Sequence, residues 1–224
     1  MCALCIFAGI IKVMRPLLKT ILLLTTFSVA MGFLESAVVI YLRALYYPHG
    51  FQFPLQPIPA QVAVVEFLRE AATIIMLAII GVLAGKNTAQ RFSFFLFCFA
   101  VWDIFYYVFL KLFLDWPESF LTDDILFVIP VPWVGPVIAP CIVSLTMIVL
   151  TIIVAYFHQR EIHVTIGLAE WLFFISGSFV LIISFTWDYM EYIFRNADTS
   201  VWTPMSENGL FSEVSQYIPQ TFNW

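Results

Sequence analysis

The chain has 224 residues, of which 62% are hydrophobic, 18% aromatic and only 11% charged, against roughly 25% charged in a typical soluble domain. The mean hydropathy of +0.96 and the clustering of apolar residues into long runs exclude a nucleic-acid-binding protein, a secreted disulfide scaffold and a nucleotide-binding α/β enzyme. At roughly 20 residues per crossing, the length allows about five or six membrane helices and no sizeable soluble domain.

Five apolar segments follow one another, at about 16–46, 60–83, 92–114, 134–157 and 166–195. Each exceeds a minimal crossing, and a single chain in lipid must satisfy its backbone internally, so the expected fold is an all-α bundle of five transmembrane helices. One helical domain, 1–195, is followed by a polar tail, 196–224. The short apolar stretch Met1–Val13, with a second possible start at Met14, precedes Arg15 and a long hydrophobic run; the run is too long for a signal peptide and lacks a small-residue cleavage site, so 16–46 reads as an uncleaved first helix. Lys12, Arg15, Lys19, Lys86, Arg91 and Arg160 all fall on one side of a five-crossing chain. The positive-inside rule then sets the N-terminus in the cytoplasm and the C-terminus outside. Asp115, Glu118, Asp123, Asp124, Asp198, Glu207 and Glu213 fall on the other side. The expected location is the cell membrane as a multi-pass protein, the inner membrane if the source is Gram-negative.

Two outer connections stand apart. Residues 46–59 are aromatic, uncharged and interrupted by four prolines, which forbids a helix. The second begins with Asp115, Trp116, Pro117 and Glu118 and continues over 125–140, which is too apolar for an aqueous loop and too broken for a straight helix; it reads as a re-entrant or interfacial segment leading into the fourth helix. Either connection suits a lid over the bundle or an aromatic interface belt.

Charges within the apolar segments carry the functional information, because one ionised side chain at mid-bilayer costs roughly 2.5–3.5 kcal/mol even on the lenient insertion scale. The first helix holds Glu35 and Arg43, the second Glu66, Arg69 and Glu70, the third Asp103 and Lys111, and the fifth Glu170, Asp188 and Glu191. The fourth holds none and is expected to face lipid or a partner. Glu66, Arg69 and Glu70 share a helix face that Thr73 continues; Asp103, Tyr106, Tyr107 and Lys111 form a second stripe, and Ser184, Asp188, Glu191 and Arg195 a third. With alternating helix directions these stripes reach a common depth in the outer half, Glu170 excepted. Six acids against Arg43, Arg69 and Lys111 leave an acidic excess of about three, which calls for protons or a bound cation. Alternatively the set consists of structural ion pairs, such as Arg69 with Glu35 or Asp103.

Other chemistry has little footing. His49, His158 and His163 lie in loops, and the last two miss the i, i+4 zinc spacing. No P-loop, dinucleotide fingerprint or nucleophile elbow is present. A carboxylate-bridged metal site from Glu35, Glu66, Glu70 and Asp103 would lack the usual Glu-x-x-His element, and no metal site is expected. Cys2 and Cys5 form a CxxC without a redox-fold context, while Cys98 and Cys141 sit alone in apolar helices, so no disulfide is expected. The cofactor is unknown, since a quinone, pigment or lipid groove would look the same.

Three functional readings follow, in order. The first is a non-catalytic subunit of a larger membrane complex, with partner membrane subunits or further copies of itself. The second is a small transporter or channel handling protons or cations. The third is an intramembrane enzyme acting on a lipid or isoprenoid, with a carboxylate as acid or base and Tyr106 or Tyr107 assisting. No nucleic-acid partner is expected; the lipid bilayer is.

Overall fold

The computed structural model describes residues 3–129, 131–160, 162, 164–196, 216–220 and 222, with the side chains of the first helix described from Leu17 onward. It contains α1 (Ala3–Tyr46), α2 (Ala60–Ala84), α3 (Thr88–Leu114), β1 (Asp123–Phe127), β2 (Trp133–Pro136), α4 (Ile138–Gln159) and α5 (Leu168–Asn196). All five helices are long and apolar enough to cross a membrane, α1 over Leu17–Tyr46. Helix α1 starts well before the expected boundary, at Ala3, in one unbroken run. Of the CxxC, Cys2 lies outside the described residues. Cys98 and Cys141 carry free thiols.

The all-α expectation needs one correction. Residues 125–140 form no single broken helix: β1 and β2 pair as an antiparallel hairpin with Asp124 opposite Gly135 and Ile125 opposite Val134. The hairpin closes its own backbone hydrogen bonds, which lets an apolar, proline-interrupted stretch lie against the bundle. Helix α4 accordingly starts at Ile138, and Trp133 and Val134 belong to the strand before it.

Helix α3 is the central post, with α1, α2 and α4 packed around it. Two glycines set the crossings. A Cβ on Gly32 would lie 2.9 Å from the Trp102 carbonyl oxygen, and one on Gly81 would lie 2.7 Å from the Phe95 amide nitrogen. Both obstacles are backbone and cannot move aside, so the absent side chains are what bring α1 and α2 onto α3, as small residues do in membrane bundles. Leu24, Met31, Leu77, Phe94, Phe97, Cys98, Val101 and Trp102 fill this three-helix core. Helix α4 is stitched to α3 by hydroxyls: Ser144 donates to Asp103 at 2.8 Å and Thr151 to the Ser93 carbonyl at 2.7 Å.

Helix α5 is held differently. At one end Trp171 and Phe174 meet Phe92; at the other, Phe185 stacks on Trp133 of β2. Between them residues 175–181, about two full turns, are exposed on every face. The described part of the C-terminal segment folds back instead of running free over the surface. Tyr217 is buried with Tyr189, Ile193, Val131 and Val134, and Phe222 lies against Phe185. Gly135 makes room for that ring, since a Cβ there would lie 2.8 Å from it.

Candidate functional site

The polar residues gather at the hairpin end in two linked groups. The first joins α1 to α2. Glu66 and Arg69, one turn apart, pair at 2.8 Å, and Arg69 also binds Glu35 of α1. Thr73, the next residue on that face, donates to the other Glu35 oxygen at 3.3 Å. One guanidinium thus holds two carboxylates, and Asp103 is not among its partners. Glu70 points towards the hairpin, where its carboxylate accepts the Val128 amide at 2.9 Å.

The second group ties the hairpin to α1. Arg43 Nη2 meets Asp124 Oδ1 at 3.2 Å, with both side chains over nine-tenths buried. The Arg43 guanidinium is roofed by Trp116, 3.7 Å from the ring centroid, and by Phe51 at 4.2 Å. Those two rings come from the two odd connections and touch each other edge to face. Cation–π contact replaces part of the hydration that the guanidinium loses. Behind the pair stand Tyr106 and Tyr107 of α3, whose hydroxyls act on the Asp124 carboxyl without closing a hydrogen bond to its Oδ2. Burial pushes the Asp124 carboxyl up to about 6, against the pull of Arg43 in the other direction.

Three residues of the expected cluster lie elsewhere. Lys111 is half-exposed, pairs with Asp115 at 2.7 Å and donates to the Asp115 and Pro117 carbonyls, so it caps the end of α3. Glu191 pairs with Arg195 one turn on, on the exposed side of α5. Asp188 faces the hairpin but binds the returning C-terminal segment, accepting from the Tyr217 hydroxyl and from the Gln220 amide at 2.9 Å. It also acts on Asp123 of β1, whose carboxyl is raised by burial first and by Asp188 second.

Asp124, in contrast, reads from sequence as one more acid of an exposed loop. The available signal was its place at the start of the apolar run Ile125–Ile129, where a strand can carry it inward. Ser144 and the roof formed by Phe51 and Trp116 gave no such signal.

The charge count changes membership but not sign. Glu35, Glu66, Glu70, Asp103 and Asp124 stand against Arg43 and Arg69; five carboxyls and two guanidiniums leave three acids unmatched. Among the described residues no three His, Cys, Asp or Glu side chains converge on a point that could hold a metal ion. The five long apolar helices are compatible with a multi-pass membrane protein. No protein-family model, curated protein or solved structure matches the chain.

Proposed function

We propose that the chain is a non-catalytic subunit of a larger membrane complex and that α5 is its partner-facing helix. The observation that carries this is the uncovered middle of α5, exposed on every face over 175–181, including the side turned to its own bundle. Helices in lipid gain little from hydrophobicity alone when they associate, and rely on packing and hydrogen bonds. A helix pinned only at its ends leaves both unused along its middle, and a second helix supplies them. In this reading the hairpin end is the outer face of the cell membrane, with Lys86, Arg91 and Arg160 at the cytoplasmic end; their distribution supports that orientation.

Gentle extraction from native membranes, native separation and mass spectrometry of the band test the reading. Other chains in fixed ratio are the expected result, whereas a band of single copies would overturn it. Self-assembly through α5 would appear as a defined multiple of one chain.

A second reading has its own observation. Three unmatched acids in a dry site need protons or a cation, which supports proton or cation handling at the hairpin end. Flux into proteoliposomes, lost on Glu70→Gln or Asp103→Asn in a chain that still folds, is the corresponding outcome. Unchanged flux in both variants would sink it.

A further inference from the structure

The Arg43–Asp124 pair uses only half of its atoms. Arg43 Nη1 and Asp124 Oδ2 are buried and have no hydrogen-bond partner among the described residues. An orphaned donor beside an orphaned acceptor, in a pair over nine-tenths buried, is a seat for a small molecule that both gives and accepts hydrogen bonds. Water is the smallest of these, and buried polar groups in proteins are commonly completed by one.

A row of groups that can carry protons continues inward from that seat. Tyr107 is buried and stands one helical turn from Asp103 on the same face of α3, on the side that faces Asp124. Asp103, near the middle of α3, accepts from Ser144 at 2.8 Å, and among the described residues no Lys or Arg stands within ion-pair distance of it. Carboxyl, phenol and carboxyl can each give and take a proton. Towards the other end of α3 the positions next to Asp103 turn apolar: Ala100, Phe97 and Leu96 are buried, and the next buried hydroxyl along α4, Thr151, already donates to the Ser93 and Met147 carbonyls.

We propose that Asp124, Tyr107 and Asp103, reached past a water seated at Arg43, form a one-ended proton-binding path from the hairpin end to the middle of the bilayer. The proposal deepens the second reading above and rests on its charge count. One proton is held by the pair of acids and exchanged with the hairpin side only; no bond other than O–H is made or broken. The groups that set its affinity come from every neighbouring element. Arg43 reaches in from α1, Tyr106 and Tyr107 from α3, and Cys141 and Ser144 from α4. The uncharged rings of Phe51 and Trp116 complete the roof. Glu35 and Arg69 reach the site through their fields at Tyr106.

The test is infrared difference spectroscopy of the carboxylic C=O signal, on the full chain in lipid nanodiscs, on either side of pH 6, the region where Asp124 titrates. A titrating signal is expected, halved or lost in Asp124→Asn and altered in Asp103→Asn. Tyr107→Phe keeps the ring and its packing and is expected to slow deuterium exchange at Asp103 several-fold. Ser144→Ala is expected to shift the Asp103 component alone. A signal unchanged by Asp124→Asn, or Asp103 exchange at the original rate in Tyr107→Phe, would overturn the proposal. Proteoliposome flux separates the two ideas: absent flux with these infrared results intact removes transport and leaves the proton site standing.

Discussion

Helices α4 and α5 follow one another and are both long and apolar enough to cross a membrane, yet the molecule holds them in opposite ways. Ser144 and Thr151, about two turns apart, fasten α4 to α3 along its length, with Ile148 in the core between them. Helix α5 carries more polar and aromatic residues, but its ring contacts to the rest of the molecule lie at its two ends. The charge-free helix α4 still turns an apolar face outward through Leu145, Val149, Ile152 and Ile153, whereas the middle of α5 is exposed on every face. The lesson is that a helix without formal charge can still be tightly bound in a bundle, because one hydroxyl to a buried carboxylate or a backbone carbonyl is enough when water is absent.

The contrast can be broken most forcefully at the hairpin, which carries the second contact of α5. Arg43→Met strands Asp124 without its cation, and breaking a buried pair this way costs roughly 3–5 kcal/mol. The expected outcome is a lower unfolding midpoint in detergent and new labelling of a cysteine placed in β1, with α5 loosened in the same step. Labelling of β1 unchanged would separate the hairpin from the latch.

Acidity acts on the same latch with the opposite sign from most carboxylates. The folded-state value of Asp124, about 6, lies above its ordinary 3.8 because burial dominates. The folded protein therefore binds more protons than the unfolded chain. The Asp124 contribution is fully present below pH ~4 and is lost as pH rises through about 6, a change of about 3 kcal/mol at most. Unfolding midpoints measured across that window are expected to fall with rising pH, and Asp124→Asn is expected to flatten the slope. An unflattened slope would assign the effect to other groups.

Two glycines give a finer comparison. Gly81→Ala drives a methyl into the Phe95 backbone and is expected to cost roughly 1–3 kcal/mol, the usual range for overpacking. Gly177→Ala meets nothing within 4 Å and is expected to leave the isolated chain within about 0.5 kcal/mol. Gly177→Leu then sharpens the test. Thermal stability of the single chain should stay the same while co-migration with partners falls. Equal co-migration would place the partner surface away from 175–181.

How far the sequence carries the reader follows from these same residues. Length and hydropathy define the helices because a membrane leaves the backbone few choices. The hairpin was hidden, since strands of four and five residues between prolines have no periodicity to display, and their pairing depends on a neighbouring bundle. Helical spacing groups Glu66, Arg69, Glu70 and Thr73 on one face, of which Arg69 and Thr73 meet Glu35 while Glu70 meets the Val128 amide. It could not say where a face points. Lys111 and Glu191 each find a partner one turn away, Asp115 and Arg195, and are neutralised locally at the surface. Asp124 was legible only as an acid outside the helices, because its burial is created by contacts with α1 and α3 far away in sequence.

The returning C-terminal segment has a consequence for how the molecule is made. Tyr217 and Phe222 complete the seat of α5 on the hairpin, yet they are synthesised after α5 itself. While the chain is still emerging, α5 has its anchors at Phe92 and at the Trp133 ring of the hairpin available, but its seat on the hairpin is unfinished. Chains fold from the N-terminus as they are synthesised, so for that interval the hairpin end of the helix lacks the contacts of Tyr217 and Phe222. Assembly with another helix is least obstructed then, before the last residues fold back and fix the distance between α5 and the bundle.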